Sequence, residues 1–490
     1  MKRPLPALLG LPGLPALTAL AAACVLAGCA SVSPDGLRSN VQGITAQRLP
    51  ASAQLPAPDP AARAAAQTQI DQWLRQPIDS DIAVRIALLN NAGLQSRMAA
   101  LGVMDAQRVQ ALTLPNPQLT LGRFAGGGER AIERQLGFSL LDLLTLPWRT
   151  RWQGLQIEQA TLAAGQDVLR LAADTRRAWL RAVAAQQVLA THERMVEATE
   201  AGGELAARMA RVGNWSRLQQ ARQMTVQQDA AAQLARARLA ATLEREQLTR
   251  LMGLWGTQTQ YSLVDQLPPL PAKAEALLSS KDIETTALRE RLDVQALRRS
   301  LDAVADRQGW SGAGQVFGDI GVTYSRNTAT ETATGRSAVT RGWELDLPIP
   351  LFDWGGAASA QARAEVQQSA ALLQEGAVRA RSEARTAWHR YRTAWDLAHQ
   401  QQAEVLPLAR FMQEETVLRY NGMLASVWEL LAQARTATQA VATATEAQRD
   451  FWLADADLQL ALTGTSPETP TGALPGASAA PASANSAQGH

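Results

Sequence analysis

The residue in this chain whose setting most directly spells out a reaction is Cys29. It ends the run Leu26-Ala27-Gly28-Cys29, small residues ahead of a cysteine. In a bacterial lipoprotein box of this kind the preceding segment is cleaved and the cysteine becomes the lipid-bearing first residue. The approach to the box fits, since Met1-Lys2-Arg3 is basic and positions 4 to 28 carry no charge. That uncharged run is long enough to cross a bilayer, but Pro4, Pro6, Pro12 and Pro15 break a regular helix. Residues 1–28 therefore read as a lipoprotein signal peptide and Cys29 as the lipidation site.

Other reactive constellations are scarce. Four His and two Cys leave almost no raw material for a metal cluster or a disulfide framework. His192, His389 and His399 fall in helical patterns without a partner motif, and Asp353 beside Trp354 reads as a capping or turn residue. No titratable groups converge, so the chain is not expected to be an enzyme, and no metal or cofactor site is expected. With 47 basic and 45 acidic residues the net charge is +2, which offers nucleic acid no footing. The 13 Trp outnumber 4 Tyr and 6 Phe, a skew toward a side chain suited to interfaces or to packing between helices.

An internal repeat organises what must position these residues. Ala87-Leu88, Leu94-Gln95 and Leu101 recur as Ala287-Leu288, Val294-Gln295 and Leu301, an offset of 200. Further on the offset is 209: Ala178-Trp179 and Arg181 recur as Ala387-Trp388 and Arg390, and the break at Gly213 recurs at Gly422. The nine extra residues fall in the polar stretch 325–336, where a loop is expected. Each copy reads helix, strand, strand, very long helix, break, helix. Leu119 and Leu121, Leu136, Phe138 and Leu140, Ile320, Val322 and Tyr324, and Trp343, Leu345 and Leu347 each alternate with polar or small residues, giving four two-faced strands.

The helices dominate. Residues 148–211 contain no proline, and 64 residues of helix reach on the order of 95 Å. The stretch 357–420 matches it in length, with a kink expected at Pro407. From Val427 to Ala461 a seam of mostly small residues, including Ala434, Ala444 and Ala454, steps by three and four as in a coiled coil. The divisions that follow are 29–72, a lipidated extended linker; 73–254, the first repeat; 255–281, an inter-repeat linker; 282–464, the second repeat; and 465–490, a Pro/Ala/Ser/Gly-rich tail too polar to fold. Two lone hairpins must complete their edges with other chains, because open edges cannot sit in lipid. Four strands cannot close a useful barrel, so symmetric assembly is required.

Three stretches carry a family likeness. They are Pro115-Asn116-Pro117 before the first strand, Pro348-Ile349-Pro350-Leu351-Phe352-Asp353-Trp354-Gly355-Gly356 with Ala362-Arg363-Ala364 following, and Tyr420-Asn421-Gly422-Met423-Leu424. Together with the repeat they resemble the TolC-type outer-membrane efflux proteins, in their lipoprotein branch, over roughly 75–464. Ala92-Gly93 and Leu292 depart from the family pattern at helix starts. The resemblance implies a mainly α fold with a small β part, in which a homotrimer closes a twelve-stranded outer-membrane barrel continued by a coiled-coil tunnel. It also implies a periplasmic adaptor and an inner-membrane pump, of RND type, as partners, and a passive duct as the function. Ala30, which is not Asp, matches the enteric sorting rule for the outer membrane. Outer-membrane lipid is then a further partner.

The resemblance assigns Pro147, Pro348, Pro350, Gly355 and Gly356 to the exit from barrel to tunnel, and Gly213-Asn214 and Gly422-Met423 to tips that meet the adaptor. In the family, acids shortly after the second break ring a cation-selective aperture. Glu429, seven residues past Gly422, is placed there; the other reading is a surface glutamate paired with Arg419 or Arg435. Trp428 beside it is expected to pack between helices. A structural coiled-coil envelope lipoprotein and the duct of a type I protein secretion system stay open, as does the cargo.

Overall fold

The computed structural model describes residues 31–113, 116–273, 277–280, 282–316, 320–347 and 355–467. In chain order its elements are α1 (Arg38–Thr45), α2 (Pro60–Trp73), α3 (Ser80–Asn90), α4 (Ala92–Leu112), β1 (Gln118–Gly126), β2 (Glu129–Ser139), α5 (Leu140–Arg211) and α6 (Arg217–Met252). They continue with α7 (Ile283–Glu290), α8 (Leu292–Val316), β3 (Gly321–Glu331), β4 (Ser337–Asp346), α9 (Gly356–Gln400), α10 (Leu406–Asn421) and α11 (Val427–Thr463). The chain divides into two compact units, 1–41 with 96–164 and 296–374, and 42–95 with 165–295 and 375–490.

The first unit holds a single antiparallel sheet in the order β1-β2-β3-β4. β1 and β2 are joined at Gly127 and Gly128, both at positive φ (58° and 85°), the two-residue turn that matches strand twist and that glycine enters without strain. β3 and β4 are joined by the longer loop 332–336. The apolar alternation of the four strands is realised, since Leu119, Leu136, Tyr324 and Trp343 lie in one cross-strand row.

Two strand boundaries differ from the sequence reading. Leu140 and the residues to Pro147 are helical, because β2 ends at Ser139 and α5 starts at once. Leu140, Leu141, Leu143 and Leu144 follow a helical and not an alternating spacing, and leucine is a strong helix former. The polar stretch from Ser325 to Glu331 is the outer part of β3, so only 332–336 is loop.

The second unit is helical. Trp179 is buried and its indole N–H donates to the Ile78 carbonyl at 2.9 Å, beside Ile70, Ile86, Leu248 and Met252. The matching Trp388 donates to the Leu278 carbonyl at 3.1 Å, next to a core of Tyr391, Trp395, Phe451 and Leu458. Described residues of the segment 255–281 are tied to the helices: Trp395 donates to the Pro271 carbonyl, Trp452 to that of Pro268, and Tyr261, Leu263 and Leu267 are buried. The indoles thus fasten extended chain to helices, which accounts for part of the tryptophan skew. Along α11 the expected seam is buried at Ala444, Phe451, Ala454, Leu458 and Ala461.

The second long helix is interrupted by a π-helical turn at Gln401–Val405. Pro407 follows directly; it has no N–H to donate and its ring crowds the preceding turn, so the helix widens there. The extended linker expected over 29–72 is also revised within the described residues. It contains α1 and α2, and Val41 and Leu55 are buried. Asp59 caps α2 by accepting from the Ala62 N–H, and Pro60 stands at the first helical position. At the other end Thr465 and Ser466 are buried, and the Ser466 hydroxyl donates to Glu383 at 2.8 Å, so the tail's first residues are docked.

Candidate functional site

The sheet is the chemically organised surface of the first unit. Residues paired directly across antiparallel strands share a face. One face carries the apolar rows Phe138–Val322–Leu345 and Leu119–Leu136–Tyr324–Trp343, with Tyr324 and Trp343 rings 5.0 Å apart. The opposite face carries Gly122, Gly137, Gly342, Gln118, Gln135, Asn327 and the hydroxyl residues Thr120, Thr323 and Ser325. Charge is segregated in the same way. Arg123, Arg130, Arg134, Arg326 and Arg341 stand on the apolar face, whereas Glu129, Glu133, Glu331, Glu344 and Asp346 stand on the polar one. Alternation within each strand already places its arginines with its apolar residues; the register between strands far apart in sequence adds that Arg134, Arg326 and Arg341 stand in one row.

Both faces are open. Leu119, Trp343 and Leu345 on one face are 65%, 73% and 58% exposed and Phe124 on the other is 57% exposed, and β1 and β4 are edge strands without a further partner among the described residues. A sheet with two wet faces and two free edges has no core of its own.

At the breaks after the long helices, the second unit builds two similar reversals. Gly213 has φ 82°, and the Asn214 N–H returns to the Met209 carbonyl. Ser216 then starts α6 with a capping box: its hydroxyl accepts from the Gln219 N–H while Gln219 accepts from the Ser216 N–H. In the second copy the positive φ falls on Met423 (59°), and Gly422 has an ordinary φ of −78°. Ser426 caps α11 in the same manner, with Glu429 Oε2 accepting from the Ser426 N–H at 2.9 Å. The two reversals are joined by stacked rings, Trp215 on Trp428 with centroids 4.5 Å apart and planes 12° apart. Met423 and Leu424 are almost fully exposed.

Glu429 therefore holds the first turn of α11 and is not ion-paired with Arg419 or Arg435 as the surface reading expected; Arg419 pairs with Glu415 at 3.3 Å. Pro147 lies inside α5, eighth in the helix, and the strand-to-helix exit in the first copy precedes it at Ser139. Gly355 takes φ 77° immediately before α9, which Gly356 begins. Pro348, Pro350, Asp353 and Cys29 lie outside the described residues.

A clasp near the start of the described chain was not anticipated. The Ser33 N–H donates to Asp105 Oδ2 at 2.7 Å, and buried Asp105 also accepts from Arg108 Nε at 2.9 Å. Asp35 accepts from the Ser33 hydroxyl and from the N–H groups of Ser39 and Leu37, and these bonds hold its carboxyl down at about 2. The signal was the Ser-x-Asp spacing at 33–35, which favours local side-chain-to-backbone bonds.

No family model and no curated protein matches this chain. Solved structures do. A membrane protein from Pseudomonas aeruginosa is 19% identical, over 80% of this chain and 94% of that one, with a TM-score of 0.65. The Campylobacter jejuni CmeC outer membrane channel is 15% identical over 82% and 89%, with a TM-score of 0.65. CusC, described for conformational changes that accompany folding and transmembrane channel formation, is 18% identical over 79% and 92%, at 0.63. The chain has the TolC-type outer-membrane channel fold.

Proposed function

We propose that this chain is one protomer of a passive export duct in the bacterial outer membrane, lipid-anchored through Cys29. Three copies would pair edge to edge through β1 and β4, closing a barrel with the apolar face toward lipid and the acidic face toward the lumen. The long helices would continue the lumen into the periplasm, and the reversals at Gly213-Asn214 and Gly422-Met423 would meet an adaptor serving an inner-membrane pump.

The observation that carries this reading is the sheet, with four strands, exposed faces and two free edges in an otherwise helical chain. In lipid such edges must be covered by another strand. The likeness to outer-membrane channels and the repeat seen in the sequence support it further. Its test is the mass of the detergent-solubilised particle together with drug or metal efflux in cells lacking their own outer channel. A particle of three chains that restores efflux is expected. A stable monomer, or an assembly with no effect on any efflux, would overturn it.

A further inference from the structure

The five arginines of the sheet present a cost that the chain itself does not offset. Arg134 pairs directly with Arg326, and Arg326 directly with Arg341, so three guanidinium groups stand in one row across three adjacent strands. Adjacent strands are about 4.8 Å apart, and like charges directly opposite one another destabilise an antiparallel pair. All three residues are exposed, and no ion pair ties any of them to a carboxylate among the described residues. The sheet's own acids, Glu133 among them, point from the other face. Arg123 stands one same-face row nearer the hairpin ends, and Arg130 one row beyond that. The two apolar rows lie toward the helices.

On the barrel reading, on which this inference rests, the hairpin ends point away from the periplasm and the arginine face meets lipid. An apolar belt followed by a basic zone then matches the passage from acyl chains to headgroups, where long arginine stems lie along apolar surface and carry their heads to the interface. We infer that Arg134, Arg326 and Arg341, supported by Arg123 and Arg130, form a binding site for anionic, phosphate-bearing lipid headgroups of the outer leaflet. Guanidinium suits phosphate because its planar fork of donors bonds two oxygens at once. Three in one row could engage a headgroup carrying more than one phosphate, and Leu121 in that row with Leu136 and Trp343 in the next row toward the helices would contact its acyl chains.

The test uses the full-length protein in phosphatidylcholine bilayers doped with diphosphoryl lipid A or with the same glycolipid stripped of both phosphates. Glycolipid retained per protein after washing is measured by mass spectrometry, with inorganic phosphate added as a competitor. Ion currents are recorded on the same preparations. Wild-type protein should retain the phosphorylated form about tenfold over the stripped one, and free phosphate should displace little of it. The combined variant Arg134→Gln, Arg326→Gln, Arg341→Gln should lose that preference while still conducting.

Equal retention of the two glycolipids by wild type would overturn the site, and this arm decides alone if the variant does not insert. Full displacement by inorganic phosphate would reduce it to an anion site without lipid selectivity, and so overturn it. Unchanged retention in the variant, with altered ion selectivity, would put the arginine face in the lumen and also overturn it. Absence of any current in every preparation would instead count against the duct.

Discussion

Glu429 separates two roles that the sequence leaves merged. Its carboxylate closes a capping box on Ser426, and in the first copy the uncharged Gln219 makes the same bonds to Ser216. Glu429→Gln should therefore keep the cap, changing stability by under about 0.5 kcal/mol. If three such carboxylates ring an aperture, the same variant should lower cation preference in single-channel recordings, and Glu429→Lys should push selectivity toward anions. Unchanged selectivity in both variants would leave Glu429 a cap alone. Cys29→Ser should abolish incorporation of labelled fatty acid and weaken anchoring without preventing assembly; persistent label would refute the assignment. Asp35 gives a pH expectation for the segment just after that anchor. Its folded value lies near 2, below the ordinary 3.8, so its bonds contribute above about pH 4 and the contribution is lost as pH falls through about 2. In wild type, peptic cleavage within 31–45 should begin only toward the lower value, and in Asp35→Asn it should occur across the whole range. A wild-type onset near pH 4 would contradict the clasp. Single residues of this kind were legible in part. The Ser-x-x-Glu spacing at 426–429 was a usable signal for the cap, whereas the partner of Ser33 is Asp105, a contact that only the folded chain brings about.

At the scale of elements, boundaries set by local chemistry could be read and those set by competing propensities could not. Both reversals fall where the glycines suggested, because a long helix ending at Gly213 or Gly422 is followed by a serine cap. The left-handed residue of the second reversal is Met423, which stands three residues before its serine cap as Gly213 does, so the two turns have equal length and correspond at an offset of 210. This sharpens the docking test. A side chain at Gly213 costs about 1–2 kcal/mol of backbone strain, whereas Gly422 at φ −78° accepts one without that cost. Gly422→Trp should thus leave assembled particles in the outer membrane and still stop export if the tips meet an adaptor. Wild-type export by such particles would count against tip docking. The leucines after Ser139 continue the apolar run of β2 without a break, and helix wins because their spacing is helical and alternates no face toward a sheet. Asp59-Pro60 was a usable signal for α2, hidden by surroundings rich in Ala, Gln and Pro that resemble a linker. The π turn at Gln401–Val405 is the helix's response to Pro407, and sequence specifies its cause more readily than its form.

For the whole molecule, helix length was the most legible part of the architecture, because α5 alone runs 72 residues and no ordinary domain needs helices so long. The chemistry of the sheet was only half legible. Alternation in each strand puts its arginines on the face of Leu119, Leu136, Tyr324 and Trp343, but the single row of Arg134, Arg326 and Arg341 depends on β2 meeting β3, strands far apart in sequence. That meeting bears on the proposed duct, since among the described residues β1 and β4 have no further partner and, on that proposal, further chains close the ring. Ion current through purified protein in a planar bilayer tests it most directly. A closed barrel with an acidic lumen should give discrete unitary steps with a preference for cations. Folded protein that inserts into the bilayer and passes no current would contradict the duct.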